Sequence, residues 1–213
     1  EFKASGNNCH LQQKIDHAKI EEWKTLCSKY AVRVIAGNKA KQIKQQFEHR
    51  TMGSRFVITE KSEDGEATRM KARWCLQGHL DPDVLEKVKS GSCQSPTLSQ
   101  LGRMLLFQLI VSHKWTMALG DIKGAFMEAG PLADKYKPLY ARLPAGGIPG
   151  VPADAIIEVL GNVYGQNDAP HNWYVVFDQA VKDAGFFRSR FDPCLYYMRE
   201  KWQTNKRFGS SCR

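Results

Sequence analysis

The feature that most limits this chain is a pair of strand-like runs, residues 54–59 and 68–76, separated by a polar stretch carrying Asp64-Gly65. An Asp-Gly pair between two such runs signals a hairpin, because glycine accepts the positive φ of a tight turn. In the second run Arg69, Lys71 and Arg73 recur every second residue, and a strand sends alternate side chains to one side. The result is a comb of cations on one face of a ribbon. Such a comb can grip phosphates; it can equally be the solvated face of a two-stranded ribbon. The pattern alone leaves both open.

A ribbon needs a core to lie against. Residues 15–26 place Ile15, Ile20, Trp23 and Leu26 on one face of a helix, and a short apolar stretch follows at 31–35. Residues 37–50 are polar and basic, and are expected to be irregular or exposed. Ser95-Pro96-Thr97 opens a helix in which Thr97 and Gln100 fit a capping box. Leu98, Leu101, Leu105 and Leu109 then follow at helical spacing, and Leu106, Phe107 and Ile110 widen the apolar face, which assigns this helix to the core.

Residues 115–120 read as a buried strand that delivers Asp121 at its end, with a helix starting over 122–129. Further strands are expected at 139–143, 155–160 and 194–198, and a helix over 170–184 that stops at Gly185. The glycine-rich stretch 144–150 is a loop; no lysine follows it, so it is not a phosphate cradle. Strands and helices in this mixed order give an α+β fold.

The 213 residues suffice for one good-sized core, or a main domain with a subdomain. The longest apolar run, 104–111, is interrupted by Gln108 and falls short of the ~20 residues a bilayer-crossing helix needs. No membrane partner is expected. The net charge of +9 is uneven: residues 1–50 carry ten Lys/Arg against five Asp/Glu, while 51–90 balance. A basic surplus favours a polyanionic partner. The six cysteines form no C-x-x-C pair, so a structural zinc is not expected, and free thiols in a reducing intracellular compartment, cytoplasmic or nuclear, are. No secretion signal opens the chain. It begins at Glu1 rather than Met, as a processed product or a fragment does.

Asp121 is the residue on which the chemistry turns. A carboxylate at a strand-to-helix turn is either a helix cap or a rigidly held metal ligand. Its surroundings favour the second. Asp121-Ile122-Lys123-Gly124-Ala125-Phe126 resembles the first catalytic motif of reverse transcriptases of the Ty1/copia retrotransposon family, commonly D-V-K-T-A-F. Lys71-Ala72-Arg73-Trp74-Cys75-Leu76-Gln77-Gly78 is similar to the family's K-A-R-L-V-A-x-G. Ser95-Pro96-Thr97, Leu139-Tyr140-Ala141-Arg142-Leu143-Pro144, Val163-Tyr164-Gly165 with Ala169-Pro170-His171-Asn172-Trp173, and Asp192-Pro193-Cys194-Leu195 follow in the family's order.

The resemblance covers about residues 20–198. It implies an N-terminal basic segment (1–50), a fingers-like hairpin region (51–94), a partial palm of antiparallel sheet backed by helices (95–198) and a divergent basic tail (199–213). It further implies that Asp121 is the ligand of catalytic Mg2+. The amides of Ile122, Lys123, Gly124 and Ala125 lie near the incoming dNTP, Phe126 crowds a ribose 2′-OH, Lys71 and Arg73 hold the triphosphate, and Gly165 lets the backbone approach nucleotide or template. The partners implied are an RNA/DNA primer-template and dNTP.

Two-metal nucleotidyl transfer requires several carboxylates, and the family's Tyr-x-Asp-Asp hairpin does not occur here. The chain is expected to be a truncated, incomplete polymerase with a weak metal site, inactive alone. Asn167 and Asp168 stand where the family has Lys and Gln, and Asp168 is expected to repel a nucleic-acid backbone. The family's thumb, connection and RNase H regions are also absent from the sequence, so a weak grip on primer-template and exposed apolar surface are expected. A non-catalytic basic nucleic-acid-binding domain and a decayed retrotransposon remnant are the alternatives.

Overall fold

The computed structural model describes residues 9–61 and 69–199. The expected turn at Asp64-Gly65 and the basic tail from residue 200 lie outside the described residues. The chain divides into two compact units: the described residues of Glu1–Ser95 with Gly120–Val176, and those of Pro96–Leu119 with Phe177–Arg213.

In the first unit, helix α1 (Cys9–Ser28) leads into β1 (Val32–Ile35), α2 (Gly37–Gln46), β2 (Thr51–Met52), the ribbon strands β3 (Ser54–Lys61) and β4 (Arg69–Leu76), and helix α3 (Val84–Lys89). After α4 (Gln100–His113), which belongs to the second unit, come β5 (Tyr140–Ala141), β6 (Ile156–Val159) and the start of α5 (Ala169–Asp183). A four-stranded sheet runs in the order β1-β6-β5-β2. It is antiparallel except where β2 runs parallel to β5. This is the expected α+β fold with helices against antiparallel sheet.

The ribbon follows the alternation in its sequence. Met70, Ala72, Trp74 and Leu76 are buried, and Arg69, Lys71, Arg73 and Cys75 take the opposite face. The register sets Lys61 beside Arg69, Thr59 beside Lys71 and Val57 beside Arg73, so the comb stays on one side. Helix α1 covers the apolar side: Ile15 and Ala18 pack with Ile58, Met70 and Ala72, and Trp23 meets Trp74 edge-on at 5.7 Å.

The stretch 37–50, expected to be irregular, is instead mostly helical. Ala40 and Ile43, three apart, bury against Ile35, Tyr140 and Ile156. Two apolar positions in a ten-residue helix suffice because the sheet supplies the rest of the core.

Asp168 also departs from expectation. It is 2 % exposed and bonds the buried Lys87 of α3, which also bonds Asp81. Its charge is neutralised inside the unit, so it does not face a partner's phosphates.

In the second unit, α4 is present but starts later than its capping-box motif indicates. Ser99, not Thr97, is the N-cap, and its Oγ accepts from Gly102 N at 2.9 Å. Assigning α4 to the core is incorrect. Leu101, Met104, Leu105, Phe107 and Leu109 are exposed, and Gly102 is the helix's buried residue among those described. The only strands of this unit among the described residues are the short pair β7 (Phe187–Arg188) and β8 (Tyr196–Tyr197), too small to cover a helix that is apolar around its circumference. The buried strand expected at 115–120 does not form either. The helix ends at Lys114 in the left-handed region (φ 53°), and the following residues are irregular and exposed. Apolar β-formers without a neighbouring strand have no ladder to join.

Candidate functional site

An open groove of about 1210 Å³ lies within the first unit, walled by β4, by α1 and by the segment from Asp121 to Met127. It exceeds the ~300–1,000 Å³ of clefts that enclose small molecules, and suits an extended ligand better than an engulfed one. Six cationic side chains, Lys24, Lys61, Arg69, Lys71, Arg73 and Lys123, line it against three carboxylates, Glu21, Glu22 and Asp121. Two segments far apart in sequence, Lys71/Arg73 and 121–126, thus meet in one place.

The carboxylates of α1 were not singled out by motif. Glu22 Oε1 accepts the Trp74 backbone N–H at 3.2 Å, because β4 pairs with β3 on one edge only. Burial pushes the Glu22 carboxyl above its ordinary range, against the pull of the Trp74 N–H and of Lys71 and Arg73. Glu21 pairs with Arg69 at 2.9 Å. Only Lys71 and Arg73 of the comb are therefore left without an ion pair among the described residues.

Arg73 is half-buried, and its guanidinium sits 5.7 Å from the centre of the Tyr164 ring. The ring of Phe126 meets Tyr164 edge-on at 5.3 Å. Phe126 is placed by a turn rather than the expected α-helix: Gly124 adopts φ 66°, a 3-10 turn runs from Ala125 to Ala129, and Met127 anchors it in the core.

Asp121 lies on irregular chain, not at the end of a buried strand, and it is exposed. Its carboxylate makes no hydrogen bond or ion pair with a described residue. Ile122 and Lys123 are exposed beside it, and Gly124 and Ala125 are partly buried. Gly165 is not among the groove residues. It sits at φ 85° against Leu76, where an added Cβ would collide with the Leu76 carbonyl oxygen. Its neighbour Tyr164, from the same motif, does line the groove.

Among the described residues no group of three or more His, Cys, Asp or Glu is gathered to hold a metal ion. A lone exposed carboxylate does not satisfy a hard dication, which takes six or more oxygens, so a two-magnesium centre does not fit the donor set present. No described helix is long and apolar enough to cross a membrane.

A basic ribbon thus faces a carboxylate-bearing turn within an α+β fold. The chain belongs to the reverse transcriptase (RNA-dependent DNA polymerase) family, whose pattern matches residues 38–205. It is 26 % identical over 148 residues to the retrovirus-related Pol polyproteins from transposons RE2 and RE1 of Arabidopsis thaliana. It is 24 % identical over 140 residues to that from transposon TNT 1-94 of Nicotiana tabacum. These copia-type relatives bear out the kinship expected from the motifs. They cover 69 %, 69 % and 66 % of this chain, which spans 10 % of each relative's length. No solved structure matches it. Reverse transcriptase domains use divalent metal ions in general.

Proposed function

We propose that the groove receives the triphosphate of an incoming dNTP and the adjoining primer-template, as part of template-directed DNA synthesis by a longer copia-type protein. The observation that carries this reading is the meeting of Lys71 and Arg73 with the 121–126 turn in one basic groove. Guanidinium geometry suits phosphate oxygens, and a half-buried cation attracts an anion more strongly than a solvated one. In this reading the amides of Ile122, Lys123, Gly124 and Ala125 border the phosphates, and Phe126 borders the sugar. Asp121 is the carboxylate on the metal side. Gly165 acts through the backbone of β4 rather than by touching nucleotide. Residues 51–94 act as fingers, 95–198 as part of a palm, and 1–50 as a basic buttress. The setting is intracellular, cytoplasmic or nuclear, where RNA templates are found.

One carboxylate does not place two Mg2+ ions, so the chain alone is expected to bind without polymerising. Primer extension on an oligo(dT)-primed poly(rA) template with Mg2+ and dTTP should give no product. Template-dependent incorporation that disappears in Asp121→Asn would overturn the inactivity. Hybrid binding should weaken steeply with salt, since each neutralised phosphate releases counterions. Lys71→Ala with Arg73→Ala should lower the log–log salt slope by about 2 units. Absence of binding at low salt, or an unchanged slope, would sink the reading.

A second reading, a non-catalytic nucleic-acid-binding domain, is favoured by the excess of six cations over three carboxylates in the groove, with no group of metal-ligating side chains gathered among the described residues. It predicts hybrid binding with no preference for a matching dNTP.

A further inference from the structure

One aromatic ring touches two of the groove's residues. Tyr164 carries the Arg73 guanidinium on its face and the Phe126 ring at its edge. Tyr164 is fixed at its backbone, whose carbonyl accepts from Leu76 N–H at 2.8 Å beside the close approach of Gly165 to Leu76, and its side chain packs against the main core. Arg73, by contrast, has no hydrogen bond or ion pair from its guanidinium to a described residue. A long side chain with no polar tether would sample many positions. A planar cation over a fixed π face samples few, and it keeps its N–H donors free for an anion.

We propose that Tyr164 is a positioning residue: its ring holds the Arg73 guanidinium open to the groove and sets Phe126 beside it, so that phosphate binding and the fit at the sugar depend on one aromatic side chain. This rests on the groove being the triphosphate site. Both contacts use the ring and neither uses the hydroxyl. Phenylalanine therefore preserves the arrangement, and a branched aliphatic side chain of similar bulk does not.

The test is calorimetric titration of the full chain with inorganic tripolyphosphate, dUTP and UTP. Tyr164→Phe should bind tripolyphosphate within twofold of the unaltered chain, and Tyr164→Leu about tenfold more weakly. In Arg73→Ala the added Tyr164→Leu should cost less than a further twofold, since the ring acts through the guanidinium. Any preference for dUTP over UTP should shrink in Tyr164→Leu and persist in Tyr164→Phe. Thermal melts establish that each variant is folded; Tyr164→Met replaces Tyr164→Leu if the latter does not fold. Wild-type affinity in Tyr164→Leu, or losses that multiply in the double variant, would overturn the inference and leave the groove assignment standing. If the unaltered chain binds none of the three ligands, the groove assignment falls, and the positioning role with it.

Discussion

Lys87 Nζ lies 2.8 Å from Asp168 Oδ1, with the lysine 1 % exposed, and it bonds Asp81 Oδ2 at 2.9 Å on its other side. The ammonium also sits 4.6 Å from the Tyr136 ring centre. A lone buried cation would be intolerable, and so would two buried carboxylates; together they are satisfied. Asp168 is thus a partner to α3 rather than a deterrent to nucleic acid.

Removing the cation should expose that balance. Lys87→Ala strands two buried carboxylates and should cost about 3–5 kcal/mol, read as a drop in the urea midpoint. Replacing the whole cluster by neutral groups, Lys87→Met with Asp81→Asn and Asp168→Gln, should recover most of the loss. If the triple variant is as unstable as the single one, packing rather than charge is what the lysine provides.

Gly165→Ala should destabilise the first unit by at least about 2 kcal/mol. A left-handed backbone costs an alanine roughly 1–3 kcal/mol, and overpacking adds a similar amount. A change below about 0.5 kcal/mol would show that the loop can move away from Leu76.

Leu101 and Leu105 on α4 are 68 % and 53 % exposed. Leu101→Gln and Leu105→Gln should each alter stability by no more than about 0.5 kcal/mol, while binding of an apolar dye falls. A loss above 2 kcal/mol would place these residues in a core.

Acid should loosen the second unit at Asp192. Hydrogen bonding from Ser99, and the Cys194 backbone N–H, hold its carboxyl below the ordinary range. A depressed value means the stabilisation is present above the unfolded pKa of ~3.9 and fades as pH falls through the folded one. Amide exchange at Ser99 and Cys194, whose N–H groups both bond Asp192 at 2.9 Å, should accelerate below about pH 4. In Asp192→Asn the exchange should be insensitive to that window. Equal acceleration in the variant would place the acid-sensitive group elsewhere.

What the sequence made legible was local. The alternation of β4, the buried face of α1 and the stop at Gly185 all reside in near neighbours, and each formed; α5 formed close to its expected bounds, but Val176 on it is exposed. The misses required distant partners. Residues 115–120 have strand chemistry and no described strand to pair with. Asp168 meets its cation 81 positions away, beyond the reach of any spacing rule. For the groove, Lys71 and Arg73 line the same space as 121–126, segments that the sequence keeps about 50 positions apart. The α1 carboxylates carried no motif, and Asp121 lacked the strand thought to hold it. Tyr164 had a signal, its place next to Gly165 in the same motif.

The root of the β3–β4 ribbon has a consequence for how the gene tolerates change. Gly78 leaves no room for a Cβ beside the Gly165 carbonyl, and Gly165 leaves none beside Leu76. Two backbones therefore interlock where the ribbon leaves the core, while its far end needs only alternation. A saturation library scored by folding should find these two positions nearly frozen, and the outward-facing sites of the ribbon permissive. The ribbon would then vary like a banner fixed at its staff.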